Sequence, residues 1–144
     1  MMARSSLVKN KVLSLLITVS RQRAVKPLVS LCYRHIFPFL PIDRLCENTH
    51  WLAFHHPQPD YPLHILILPK REVSSLPNAP KDAPDLYADL FVIVQQLLSD
   101  FQLEDSAYRL VTNGGQNQAI PIWHWHLVCE ASCKGENHPG VSHA

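Results

Sequence analysis

Gln118-Ala119-Ile120-Pro121-Ile122-Trp123-His124-Trp125-His126-Leu127-Val128 is the stretch that decides the fold. Its apolar and polar residues alternate. Read as a strand, it places residues two apart on one face. Ile122, His124 and His126 then share a face, and Trp123, Trp125 and Leu127 share the other. Two imidazoles on a stiff strand, backed by aromatic bulk, suit a nitrogen nucleophile. An unprotonated ring nitrogen can attack phosphorus and leave again, which divides one difficult transfer into two easier ones. Two plain strand histidines, or a pair sharing a metal, are the alternatives for this motif alone.

The flanking segments narrow the choice. Tyr108–Asn113 reads as a strand running into the turn Gly114-Gly115. Trp51–His55 and His64–Leu68 read as adjacent antiparallel strands joined by the Pro-rich loop from Pro57 to Pro62. His124–Cys129 supplies a further strand, and Arg44–Glu47 an edge strand. After the loop Ser74–Lys81, a helix is expected from Asp82, its cap, to about Gln102, with Asp85 favouring its N-terminus. Leu86, Leu90, Val94, Leu97 and Phe101 form its buried stripe. The fold class is therefore α+β, an antiparallel sheet with one main helix.

With these elements in place, the chain resembles the histidine triad (HIT) family of nucleotide hydrolases and transferases over residues 44–129. The family pattern is His-φ-His-φ-His-φ-φ, φ being apolar, with a Gln four residues before the first His. Here the frame reads Ile122-Trp123-His124-Trp125-His126-Leu127-Val128, and Gln118 stands at the expected place. Pro62-Leu63-His64-Ile65-Leu66-Ile67-Leu68-Pro69-Lys70, Phe54-His55 and Asn113-Gly114 follow the family's order. The resemblance implies that His124 is the nucleophile of a covalent nucleotidyl-histidine. It implies that His126 supports the site and that His64 lies beside the nucleophile. It gives Asn113 and Gln118 places near the phosphate and Phe54 a place in the nucleoside wall. Only one of His55 and His56 can enter the pocket, and by the same resemblance it is His56. Gly115 belongs to a turn whose backbone N–H groups could approach a phosphate. No cofactor, metal or nucleic-acid partner is implied. A homodimer is. The apolar face of Trp123, Trp125 and Leu127 also asks for a cover, either a second copy or the N-terminal segment, and free thiols read as a reducing, cytoplasmic setting.

Three positions depart from the family. Ile122 stands for the first His, Ala119 for a Ser or Thr, and His56 for a ribose-binding Asp. A carboxylate grips two ribose hydroxyls because both oxygens accept, whereas a neutral imidazole accepts only one hydrogen bond. These changes bear on the substrate more than on the nucleophile. Three functions are compatible with the residues. One is a nucleoside phosphoramidase or nucleotidyl hydrolase acting through His124. Another is a nucleotide-binding module with weak turnover. The third is a metal-binding protein using His56, His64, His124 and His126.

Length and charge set the remaining bounds. At 144 residues the chain suits one core. Residues 1–44 hold eight Lys or Arg and one acid, a net +7, while the rest sums to −6. Leu7, Val8, Val12, Leu15, Leu16 and Val19 approximate one helical face in this basic segment. It reads as a surface helix for an anionic membrane, a helix packed on the body, or an organelle transit peptide. No stretch of ~20 uninterrupted apolar residues would span a membrane. Cys32, Cys46, Cys129 and Cys133 lack a paired framework and read as free thiols. The expected division is 1–43 basic segment, 44–130 HIT-like domain and 131–144 mobile tail.

Overall fold

The structure, a computed structural model, describes residues 43–130 and Lys11. The readings of the rest of the N-terminal segment, of 131–144, and of Cys32 and Cys133 lie outside the described residues. Strands β1 (Arg44–Glu47), β2 (Trp51–His55) and β3 (Leu63–Pro69) precede helix α1 (Pro84–Asp100). Strands β4 (Tyr108–Thr112) and β5 (Trp125–Cys129) follow it. They form one antiparallel sheet in the order β1-β2-β3-β5-β4. Among the described residues no helix is long and apolar enough to cross a membrane. The α+β class expected from the sequence is the one observed.

The register explains the layers. Trp51, Ala53, Ile65, Ile67 and Leu127 point to one face and pack on Leu86, Leu90, Ile93, Val94 and Leu97 of α1. The Trp51 indole N–H donates to the Leu86 carbonyl at 2.7 Å, which ties β2 to the helix. On the other face, pairing sets Phe54, Leu66, His126 and Val111 in one row across four strands. His64, Val128 and Arg109 form the next row. β3 is buried throughout, as a central strand flanked on both faces should be.

Four local expectations are corrected. The first concerns β5, which begins at Trp125 rather than His124. Residues 118–124 form a loop, since Pro121 lacks an N–H and the Gln118 amide holds Ser74 O at 2.6 Å and Ile120 O at 2.8 Å. β4 likewise ends at Thr112, with Asn113 just beyond it. The helix is not capped by Asp82. Ala83 takes the N-cap position without a side-chain bond and Pro84 opens the helix. Proline restricts the residue before it to non-helical backbone and loses nothing at the first helical position. At the other end Gln102 adopts φ 53°, and the Leu103 N–H reaches Leu98 O at 2.8 Å, closing a Schellman turn.

The last correction concerns the tryptophan face. The sequence suggested that Trp123, Trp125 and Leu127 need a cover, either a second copy or the N-terminal segment. They lie on the helix side instead. Trp123 is 1% exposed, 5.2 Å edge-on from Trp51 and 6.3 Å from Tyr87 of α1, and Trp125 packs against the same core. The independent hint of a dimer is thereby removed.

Candidate functional site

Four histidines from three segments meet on the sheet face opposite α1. His64 comes from β3, His126 from β5, His124 from the residue before β5, and His56 from the turn after β2. His64 Nε2 and His126 Nδ1 are 2.9 Å apart. The His124 and His126 rings meet edge to face at 4.9 Å. His56 lies flat on His64, with centroids 4.1 Å apart and planes 13° apart. His55 points away and meets Phe101 instead. The alternation of a strand thus delivers His56, not His55, to the site.

Backbone groups set the proton positions. The Asp60 N–H donates to His64 Nδ1 at 3.2 Å, so the neutral His64 ring carries its proton on Nε2. That N–H is donated to His126 Nδ1. His126 must then hold its own proton on Nε2, a buried atom with no partner. The Gln58 N–H donates to His56 Nδ1 at 3.1 Å, which leaves the His56 proton on Nε2. His124 is the reverse case. Its Nδ1–H donates to the Ile122 carbonyl at 2.7 Å, so the lone pair sits on Nε2.

Burial keeps these rings neutral. It pushes the pKa of His124 down, against a smaller opposing effect of the Ile122 carbonyl. His64 is lowered by burial also. His56 falls to about 4, through burial and then the neighbouring His64 charge. His126 falls to about 3, because burial is joined by repulsion from His124, His64 and His56. Desolvation disfavours every charged imidazole, and like charges reinforce it.

The remaining candidates are placed as follows. Phe54 is 2% exposed and stands in the row of His126. Asn113 leaves β4 next to Thr112, whose hydroxyl donates to the His124 carbonyl at 2.8 Å. Gly115 has φ +58° and opens a short 3-10 turn, with open space where a Cβ would stand. Gln118 lies upstream of His124, but its amide nitrogen is spent on Ser74 and Ile120. Ile122 is 4% exposed, so an apolar side chain fills the place of an imidazole.

Sequence reasoning missed Thr112, Tyr61 and Arg109. Thr112 steadies the backbone of His124. The Arg109 guanidinium lies 5.3 Å over the Tyr61 ring, and Tyr61 meets His64 edge-on at 5.5 Å. The register of β4 against β5 would have found Arg109, since it shares the His64 row.

His56, His64 and His126 each bring one ring nitrogen within 4.8 Å of the others, a candidate metal group. His124 is not part of it. Lone pairs lie in the ring plane, so two nearly parallel rings cannot aim at one ion. Moreover, His56 and His64 have Nδ1 accepting N–H bonds, which puts protons where metal ligands need lone pairs. A zinc ion at roughly 2.0–2.1 Å from each nitrogen requires His56 to swing off the stack.

A family model for the HIT domain matches residues 39–132. A HIT-like protein of Chlamydia pneumoniae is 32% identical over 85 residues, covering 59% of this chain and 76% of that protein. A HIT family hydrolase from Legionella pneumophila is similar in structure, with TM-score 0.61 and 27% identity over 68% of this chain and 89% of its own. A histidine triad nucleotide-binding protein from Candida albicans gives TM-score 0.59 and 25% identity, over 79% and 85%.

Proposed function

Since the chain belongs to the HIT family, we propose that it is a hydrolase of phosphorus–nitrogen or phosphorus–oxygen bonds in nucleotides, acting through His124. One observation carries this reading. The His124 Nδ1–H is fixed on the Ile122 carbonyl, which leaves Nε2 with its lone pair, while burial disfavours protonation. Nε2 would attack phosphorus, forming a P–N bond as the bond to the leaving group breaks. The leaving amine or alcohol departs with the electron pair and takes a proton from solvent, which the attacking water of the second step returns. The ring, now cationic, keeps its Nδ1–H on the carbonyl. Water then attacks phosphorus, the P–N bond breaks, and the nucleoside monophosphate leaves with the lone pair restored to Nε2. Relatives named as a hydrolase and as a nucleotide-binding protein support this substrate class.

A second reading, nucleotide binding with weak turnover, is favoured by Ile122 and Ala119, which remove an imidazole and a hydroxyl from the pocket. Intact-mass measurement after brief incubation with adenosine phosphoramidate separates the two. The hydrolase reading expects one nucleotidyl adduct on wild type and neither adduct nor turnover on His124→Ala. Turnover retained by His124→Ala would refute the assignment. A homodimer is proposed on the resemblance alone, and a cytoplasmic location on the free thiols; light scattering over a range of concentrations tests the assembly.

A further inference from the structure

Helix α1 carries charge of one sign. From Asp82 to Tyr108 the chain holds six acids, Asp82, Asp85, Asp89, Asp100, Glu104 and Asp105, and no Lys or Arg. All but Asp89 are exposed, and Asp89 meets the His50 ring at 2.7 Å. Among the described residues no Lys or Arg pairs with any of the six. Asp85 suits the start of a helix, but Asp100, Glu104 and Asp105 add to the negative end of its dipole, and the last turn holds no base. Such an end is stabilised by cations brought from elsewhere. The outward side of α1 also presents apolar surface. Phe91 is 58% and Val92 56% exposed, and Ala88 lies one turn from Val92. We infer that this face is the docking surface for the chain's own basic segment, residues 1–42.

Three observations choose this occupant. The first is charge. Residues 1–42 hold seven Lys or Arg and no acid, against the six acids and no base of 82–108. The second is the point of entry. Arg44 of β1 pairs with Phe54, and the next residue, His55, meets Phe101 at the end of α1, so the segment joins the fold beside the acidic end of the helix. The third is pattern. Leu7, Val12, Leu15 and Val19 share one helical face, which Lys9 and Lys11 flank, and Lys11 is helical and exposed. As a helix, residues 7–19 span about 20 Å, against about 26 Å for α1. Residues 20–42 reach farther than that when extended, so they can lay the apolar face on Phe91 and Val92. A second copy in the same place would set six carboxylates against six, which like charges oppose.

Hydrogen exchange on the full chain, read by mass spectrometry, tests the dock. Amides of residues 7–19 should be protected in wild type. The protection should weaken as salt is added, since exposed charges are screened over about 8 Å at physiological ionic strength and over less above it. Exposed ion pairs are individually weak, so the acids are neutralised together. With Asp85→Asn, Asp100→Asn, Glu104→Gln and Asp105→Asn combined, these amides should exchange about tenfold faster. Phe91→Ser with Val92→Ser should act in the same direction by removing the apolar contact. Amides of β3 should stay slow in both variants, which reports an intact fold. Fast exchange over 7–19 in wild type, or protection unchanged in both variants, would overturn the dock. Protection that falls on dilution would assign the face to a second copy. Protection that requires anionic vesicles would assign the segment to a membrane surface, and either result overturns the dock as well.

Discussion

Removing His64 tests the chain of protons described above. His64 accepts from the Asp60 N–H and donates to His126 Nδ1 at 2.9 Å. His126 already has one buried nitrogen without a partner. In His64→Ala both of its nitrogens lack one, and nothing fixes its tautomer. An unsatisfied buried polar group costs about 1–3 kcal/mol. If that cost falls on the form of His126 that faces phosphorus, kcat/KM drops about 5- to 150-fold, at roughly 1.36 kcal/mol per tenfold. A fluorogenic adenosine phosphoramidate reports the rate, and thermal melting separates this loss from unfolding. His64→Gln returns an amide donor and should recover part of the rate. NMR titration gives a readout independent of turnover. Repulsion by His64 is one of the causes that hold His126 near pKa 3, so its pKa should rise in His64→Ala. Activity within twofold of wild type, together with an unmoved His126, would refute the proton chain.

Restoring the first imidazole by Ile122→His should raise kcat/KM or leave it unchanged, while costing about 1–3 kcal/mol of stability for a buried polar ring, as calorimetry and steady-state kinetics would show. Stability should decline as pH falls from 6.5 to 4.5. The four site histidines have folded pKa values below the unfolded one, so the unfolded chain binds more protons there, and the loss continues toward the folded values of about 4 and 3; a flat melting temperature across that window would contradict it. The +7 segment is proposed to hold the protein on anionic surfaces, so liposome co-sedimentation should fall with added salt and vanish on truncation of residues 1–44.

Much of the fold was legible because its signals are local. Short apolar runs marked β2 and β3, a strand running into a Gly turn marked β4, and spacing marked the stripe Leu86, Leu90, Val94 and Leu97. What was not legible depends on partners distant in sequence. Alternation states that Trp123 and Leu127 share a face, but not which face the helix covers. That is decided by Trp51, Ala53, Ile65 and Ile67 on other strands, which present one continuous apolar surface to α1. Similarly, nothing near His124 shows that the Gln118 amide is consumed by the Ser74 carbonyl, 44 residues away, and that the strand therefore starts late.

The site divides along the same line. Which histidines meet was readable, since His64 and His126 lie on strands, His124 directly precedes β5 in the same alternation, and His56 follows β2. Which nitrogen of each ring carries the proton was not. Those choices are made by the backbone N–H groups of Gln58 and Asp60 and by the Ile122 carbonyl, groups that almost every residue possesses. Side-chain identity cannot encode them; the course of the loop does. This also bears on the substitution at Ile122. The contact that orients His124 is made by the backbone of residue 122, not by its side chain. An apolar residue can therefore stand there without disturbing the tautomer of His124. The substitution removes one imidazole from the pocket but keeps the hydrogen bond on which the proposed attack by Nε2 depends.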